Sequence, residues 1–370
     1  MKKQKWLVVV MLFVFVVVSA VGCGTKPAQP AAPAAPAAPA APKQEAIRWQ
    51  MATSWPAGWL LHQMAEHWAD EVNKASGGRL IIDVSPSGAI VPPLEVLDAA
   101  HSGAIDAMHS WPGYWMGKIP PMPFFASIPM GFEPLMHLVW MYEEGGLKYM
   151  QQMYDKAGLN VVVFPGGITH PELLAHSNVP LAKLQDWKGL KYRTPGWWGE
   201  ILKGMGVAVV TMPAAELYPS LEKKILDALE FSSPAVNNVG AFQEVTKYYT
   251  GPGMHQPSVL FEITINKDSY NALPDDLKSI VSTAARSTTL WGWAKDISMG
   301  IRVLEEWEKR GNEAVVVEPA AQHEFRKQAW AYIDGLAEKD PLFKEIWESQ
   351  KKFYDKFVAY ENFMVPVRKK

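Results

Sequence analysis

GLKYRTPGWWGEILKGMGVAVVTMPAAELYPSLEKKILDALEF, residues 189–231, changes its hydrophobic period several times along its length. Leu190–Arg193 reads as a short strand that ends in a cation. Pro195 and Gly196 then turn the chain, and Trp197–Met205 has helical spacing, with Gly204 and Gly206 bracketing its end where a left-handed cap suits glycine. Val207–Thr211 is a β-branched run that predicts a buried strand. Pro213 stands where proline starts a helix, Glu216–Lys224 continues it, and Leu226–Glu230 is the next strand. Strand, helix, strand, helix, strand is the pattern of a mostly parallel α/β domain. Ligands of such sheets bind beyond the carboxyl ends of the strands, where Arg193 and Glu230 both fall.

The same alternation precedes this stretch. Ile47–Ala52 reads as a strand, Trp59–Ala75 as an amphipathic helix ended by Gly77 and Gly78, and Leu80–Val84 as a strand. A helix from Pro92 to His101 and a strand over Ala104–His109 complete it. Glu95–Ser110 (EVLDAAHSGAIDAMHS) and Glu216–Phe231 (ELYPSLEKKILDALEF) each place an aspartate eleven residues after a glutamate, behind an aliphatic residue and before alanine. Two similar lobes facing each other over a cleft account for that repeat. Between them, Trp111–Phe132 is too proline-broken for a helix and too apolar for a linker, and reads as a packed loop lining a cavity. Glu133–Asp155 is predicted helical and Asn160–Phe164 a strand.

Beyond the central stretch, Pro257–Asn266 holds a strand. Pro274 opens a helix of 36 residues, Asp275–Arg310, which at about 1.5 Å per residue spans roughly 54 Å, more than one lobe. It is expected to brace both. A strand over Ala314–Glu318 and helices near Ala321–Glu338 and Leu342–Ala359 finish the chain.

The composition, 48% hydrophobic and 20% charged with a net charge of −2, is that of a globular protein and has no basic excess to suit nucleic acid. At the N-terminus, Lys2, Lys3 and Lys5 precede an apolar run over Leu7–Val18, too short to span a bilayer, and then Ser19-Ala20-Val21-Gly22-Cys23. This predicts a signal peptide over residues 1–22. Cys23, the one cysteine, follows Ala20-Val21-Gly22 as in a bacterial lipobox, with alanine where leucine is usual; lipidation of Cys23 and anchoring at the outer face of a membrane are the expectation. The Ala-Pro repeat that follows favours extended polyproline II, making residues 23–45 a lipidated stalk. The remainder divides into a first lobe, 46–168 with about 257–300, and a second, 169–256 with about 301–370.

The motifs DWKGLKYRTPG (Asp186–Gly196) and MPAAELYPSLEKKILDALEF (Met212–Phe231) resemble those of the solute receptors of tripartite ATP-independent periplasmic (TRAP) transporters, the DctP-like proteins, over roughly Ile47–Phe357. The resemblance implies a two-lobed periplasmic-binding-protein-like α/β fold with a long helix bridging both lobes. It also implies a receptor that delivers a small organic acid to TRAP membrane subunits, and it leaves room for a homodimer. Within the family the chain looks most like the subset that binds 2-oxo or 2-hydroxy monocarboxylates with a metal ion. That likeness rests on Asp227–Pro234 (DALEFSSP), Lys247-Tyr248-Tyr249 and Pro252–Pro257 (PGMHQP), with Phe231 standing where the subset has tryptophan.

The resemblance gives Arg193 the role of clamping the ligand carboxylate, a task suited to a planar guanidinium. Glu230 would repel that carboxylate unless a cation, Ca²⁺ or Na⁺, lies between them. Glu230, the Phe231 carbonyl, the Gln256 amide oxygen and Glu172 are the candidate ligands of such a cation, which prefers oxygen. His255 is expected to hydrogen-bond rather than ligate. Trp55, Trp111, Tyr114, Trp197, Trp198 and Phe231 are candidate walls of the substrate pocket. No H-E-x-x-H, G-x-S-x-G or P-loop occurs, which sets a secreted metal-dependent enzyme acting on a small carboxylate behind the receptor reading.

Overall fold

A computed structural model of the protein describes residues 45–366; the predicted signal peptide, Cys23 and most of the stalk lie outside them. In chain order, β1 (Ile47–Thr53), β2 (Leu80–Ser85), β3 (Ala107–Ser110) and β4 (Val161–Thr169) come first. Then follow β5 (Ala175–Ser177), β6 (Lys191–Arg193), β7 (Ala208–Val210), β8 (Ala228–Leu229) and β9 (Tyr248–Gly251), and finally β10 (Val259–Asn266) and β11 (Glu313–Val316). The first four and β10 form one sheet in the order β2-β1-β3-β10-β4; the others form a second in the order β11-β9-β5-β8-β6-β7. The α/β, two-lobed expectation matches this architecture.

The chain passes between the sheets three times: between Thr169 and Ala175, between Gly251 and Val259, and through the helix Asp275–Arg310. That helix has the predicted bounds. Asp275 and Asp276 in its first turn and Lys309 and Arg310 in its last complement the helix dipole, and Gly311, at φ +99°, ends it in the left-handed conformation. Its buried stripe runs from Leu277 and Val281 through Thr288, Gly292, Asp296 and Gly300 to Trp307, small or polar where it crosses the middle of the molecule. At Gly292 a Cβ would lie 2.6 Å from the Met64 methyl, the end of a flexible side chain that would have to shift to keep the helix this close.

The repeated aspartates do the same work in each lobe. Asp106 and Gln50 exchange hydrogen bonds, Asp106 N–H to the Gln50 carbonyl at 2.9 Å and Gln50 N–H to the Asp106 carboxylate at 2.8 Å. Asp227 and Lys191 do so at 2.9 and 2.8 Å. In each lobe the aspartate precedes a strand, β3 or β8, and fixes its parallel register on the neighbour, β1 or β6.

Several expectations are corrected. Val207–Thr211 does not form a buried strand: β7 is the edge of its sheet, and Val210 is 42% exposed. Glu133–Asp155 is two helices, Pro134–Glu143 and Gly146–Lys156, broken where Gly145 adopts φ +92°. The last helix, Pro341–Met364, does not accompany the second lobe alone. Its Phe343, Ile346 and Trp347 pack in one core with Trp140, Phe124 and Ile168 of the first.

Candidate functional site

Arg193 ends β6 and is buried, 1% exposed. Its Nε and Nη2 donate to the Met212 carbonyl at 3.2 and 3.1 Å, and Nη1 donates to the Glu230 carbonyl at 2.9 Å. A guanidinium has five N–H groups, so one on each terminal nitrogen stays uncommitted. The ring of Phe231 lies 5.3 Å from the guanidinium carbon and holds its plane.

Glu230, just past β8, is fully buried, and its Oε1 lies 3.6 Å from Arg193 Nη1. Glu172 comes from the first crossing between the sheets and Gln256 from the second. The crossings touch: Glu172 N–H donates to the Gln256 carbonyl at 3.2 Å, and a Cβ on Gly253 would fall 2.0 Å from the Glu172 carbonyl oxygen. His255 Nε2 sits 3.3 Å from Glu172 Oε2 and 3.5 Å from Glu230 Oε2. Among the described residues, Glu172, Glu230 and His255 form a buried group whose candidate ligand atoms all lie within 4.8 Å of one another.

The electrostatics of this group are uneven. Burial pushes Glu172 up to about 8, against the pull of His255. Burial acts the same way on Glu230, but His255 and Arg193 outweigh it and hold that carboxyl below its ordinary value. His255 would be driven toward neutrality by burial, yet the two carboxylates raise it to about 9. Even so, Glu172 Oε2, both carboxylate oxygens of Glu230 and Gln256 Oε1 are buried without a hydrogen-bond partner. Buried polar atoms are seldom left so. Four oxygen donors from two carboxylates and an amide fit a hard cation such as Ca²⁺ or Na⁺.

These groups border a small cavity that is nearly closed, with about 10 Å³ of free space, room for no more than a water. Arg193, Pro195, Phe231 and Ser232 line it from the second lobe, and Glu172 and Gln256 from the crossings. Trp55, Leu61, Trp111, Tyr114, Val259 and Phe261 close it from the first lobe. Trp55 is held by its indole N–H, which donates to His109 Nδ1 at 2.8 Å; His109 Nε2 then carries the proton and donates to the Gly166 carbonyl at 3.3 Å. Trp111 folds over Gly113, where a Cβ would meet its ring at 2.2 Å, and reaches Gly196 of the second lobe. The Trp111 indole N–H and the Ser232 hydroxyl are further buried groups without partners.

Of the residues singled out from the sequence, Trp55, Trp111, Tyr114, Arg193, Phe231, Gln256 and Glu172 meet at this cavity, and Glu230 stands directly behind its wall. Trp197 does not: its ring packs on Phe124 and Phe343, at centroid distances of 4.9 and 5.3 Å, inside the first lobe's core. On a helix only one of two adjacent tryptophans can face a given wall, and here neither faces the cavity. Trp198 packs on Phe325 at 5.0 Å. Most of Trp111–Phe132 is core as well, including Trp115, Phe124 and Phe125, so only its first turn lines the cavity. His255 is more than a hydrogen-bonding neighbour, since it stands between two carboxylates. Leu61, Val259 and Phe261 carried no signal in sequence, being ordinary residues that tertiary packing brings to the wall, and Pro195 and Ser232 stood out only as parts of the motifs around Arg193 and Glu230.

Comparison with known proteins agrees with this fold. Residues 51–340 match the family model DctP, described as bacterial extracellular solute-binding protein, family 7. A monocarboxylate 2-oxoacid-binding periplasmic protein of Nostoc sp. is 29% identical over 325 residues, covering 86% of this chain and 89% of that one. A TRAP periplasmic solute-binding protein of Colwellia psychrerythraea, solved with calcium and pyruvate, superposes with a TM-score of 0.83 at 27% identity, over 86% of this chain and 98% of the other. One from Pseudoalteromonas atlantica, solved with sodium and pyruvate, gives 0.82 at 26% identity, over 86% and 97%.

Proposed function

The chain belongs to the DctP family of bacterial extracellular solute-binding proteins, and on that premise we propose that it is the extracytoplasmic receptor of a TRAP transporter, closing on a small 2-oxo or 2-hydroxy monocarboxylate and handing it to the membrane subunits for uptake. One observation carries the reading. A guanidinium with two uncommitted N–H groups stands beside four buried oxygens without partners, at one small cavity between two lobes. The N–H groups suit a carboxylate held in bidentate fashion. The oxygens suit a cation, which when bound would neutralise the repulsion between Glu230 and an acid, worth roughly 4 kcal/mol at about 4 Å and an effective dielectric near 20.

In this reading Arg193 takes the carboxylate, and the Trp111 indole N–H and Ser232 hydroxyl would donate to the acid's 2-oxo or 2-hydroxy oxygen. Glu230, Glu172, Gln256 and the Phe231 carbonyl hold the cation. Trp55, Tyr114, Phe231 and Phe261 exclude water and bound the apolar part of the acid. Function is differential affinity of open and closed lobes for the ligand, not turnover. The family and the solved structures that match are solute-binding proteins, which favours a receptor over the metal-dependent enzyme.

Outside the described residues, Cys23 and the Ala-Pro stalk support a lipid anchor with a semi-rigid spacer, and self-association into a homodimer belongs to the same proposal. Among the described residues no helix is long and apolar enough to cross a membrane. The central test is calorimetry on protein stripped of metal by chelation and unfolding–refolding. Pyruvate is expected to bind when Ca²⁺ or Na⁺ is restored, and at least about tenfold more weakly without either. Full affinity in metal-free protein would remove the cation from the reading. No binding of any small 2-oxo or 2-hydroxy acid would remove the reading itself.

A further inference from the structure

The long helix contributes one buried acid, Asp296, 1% exposed at the middle of the molecule. Among the described residues it pairs with no cation. Its Oδ2 accepts the His170 backbone N–H at 2.9 Å, and its Oδ1 accepts the Ser233 hydroxyl. His170 is the first residue past β4, where the chain leaves the first sheet, and Glu172 lies two residues on. Ser233 follows Phe231 and Ser232 of the cavity wall, and its oxygen in turn caps the helix Pro234–Val239 by accepting from Val236 N–H. One carboxylate on the third crossing therefore grips both the first crossing and the turn after β8, the two segments that carry Glu172 and Phe231–Ser232.

We propose that Asp296 is a positioning residue of the receptor site: from the bridging helix it sets the separation between the Glu172 segment and the Phe231–Ser232 turn, and with it the geometry offered to the acid and its cation. The inference rests on the receptor reading above. It is more than a structural hydrogen bond for a geometric reason. A buried carboxylate is costly to keep without a cationic partner, and a neutral side chain would suffice to fill the space. A carboxylate has two acceptors diverging from one carbon, and here each holds a different segment of the site.

The test compares Asp296→Leu with Asp296→Asn in the full chain, titrating calcium alone and then pyruvate with calcium chloride, alongside amide exchange at residues 170–174. Asp296→Leu removes both acceptors and is expected to weaken calcium and pyruvate about tenfold or more. Asp296→Asn is expected to restore affinity to within about threefold, its oxygen accepting from His170 N–H and its NH₂ donating to the Ser233 hydroxyl. Wild-type affinity in Asp296→Leu overturns the proposal, as does Asp296→Asn failing as badly as Asp296→Leu, since charge and not the two bonds would then be at work. Should Asp296→Leu not fold, Ser233→Ala removes one bond alone; about three- to fivefold weaker binding supports the role and unchanged binding overturns it. If wild-type protein takes no pyruvate, the receptor reading fails separately. Asp296 is then judged on His170 amide exchange, which must quicken about tenfold in Ser233→Ala or Asp296→Leu relative to β10, and unchanged exchange overturns the proposal.

Discussion

In the proposed receptor Arg193 would do two jobs at once, and one substitution tests both. Three of its N–H groups hold the Met212 and Glu230 carbonyls, so the residue organises the turn after β7 before any ligand arrives. Arg193→Lys should lose most acid affinity, because an ammonium cannot offer a planar fork, at a cost of about 1.5–3 kcal/mol in calorimetry. It should also lower the melting temperature, since it leaves the Met212 carbonyl without its bifurcated partner. Unchanged pyruvate affinity would take Arg193 out of the site. Glu230→Gln is expected to weaken calcium before it weakens the acid; tighter acid binding in the absence of metal would mark Glu230 as a mere unfavourable neighbour. Arg193 stood out because the motif around it, DWKGLKYRTPG, resembles the receptor family's, and Glu230 because it follows an apolar strand. Phe261 did not, because a phenylalanine looks the same in a wall as in a core. Trp197 shows the reverse error, an aromatic beside the motif that serves packing.

At the scale of elements, the site depends on two crossings lying against each other, and Gly253 is what allows it. A Cβ there would fall 2.0 Å from the Glu172 carbonyl oxygen and 2.7 Å from its nitrogen, both backbone atoms that cannot swing aside. Gly253→Ala should therefore part Glu172 from Gln256. The expected result is a loss of about 1–3 kcal/mol in stability, as for other overpacked sites, and a larger proportional loss in calcium affinity, read by denaturant unfolding and calcium titration. Full calcium affinity would show that the crossings need not touch. Long elements were legible. The helix Asp275–Arg310 has no internal proline and charges of the right sign at each end, and it was found with its bounds. The strands β5 and β9 were not anticipated, because three or four residues (AHS, YYTG) carry too little period to distinguish them from loop. The edge strand β7 looked buried because β-branched residues suit an edge as well as a centre.

At the scale of the whole molecule, stability should respond to pH in a characteristic way. Burial pushes His109, His137 and His176 each down to about 3. The unfolded chain takes up a proton at each below about 6.5 while the native state does not, so these three remove stability as pH falls from 6.5 toward 3. Burial acts oppositely on Glu172, Glu262 and Asp296, raising them to about 8, 7 and 6. There the native state holds protons that the unfolded chain has released, so they add stability as pH falls from their folded values toward the ordinary carboxylate range. The two sets offset each other between about 6.5 and 4.5. Below about 4 the raised carboxyls no longer contribute; the three histidines remove stability by at most about 4 kcal/mol per pH unit until they protonate near 3, and Glu230, whose folded value is depressed, adds to the loss. Urea unfolding across pH should show a plateau and then a steep acid limb. His137→Asn should make that limb shallower by about 1.4 kcal/mol per unit, and an unchanged limb would mean that His137 is already protonated in the native state.

The position of the site along the hinge has a mechanical consequence. Glu172 and Gln256 sit on two of the three crossings, about which the lobes would turn in the proposed closure, whereas Arg193 and Ser232 belong to one lobe and Trp55, Tyr114 and Phe261 to the other. Rotation displaces a point in proportion to its distance from the axis. A small swing therefore draws the aromatic wall off the ligand while the donors near the axis have hardly moved. Unloading becomes a peeling process with a fixed order: the apolar cover lifts first, water enters, and the ionic contacts dissolve last in a medium that has already weakened them. A docked membrane subunit then has only to supply leverage at the rim, and tryptophan emission from the cover should change before calcium is lost in a rapid-mixing release experiment.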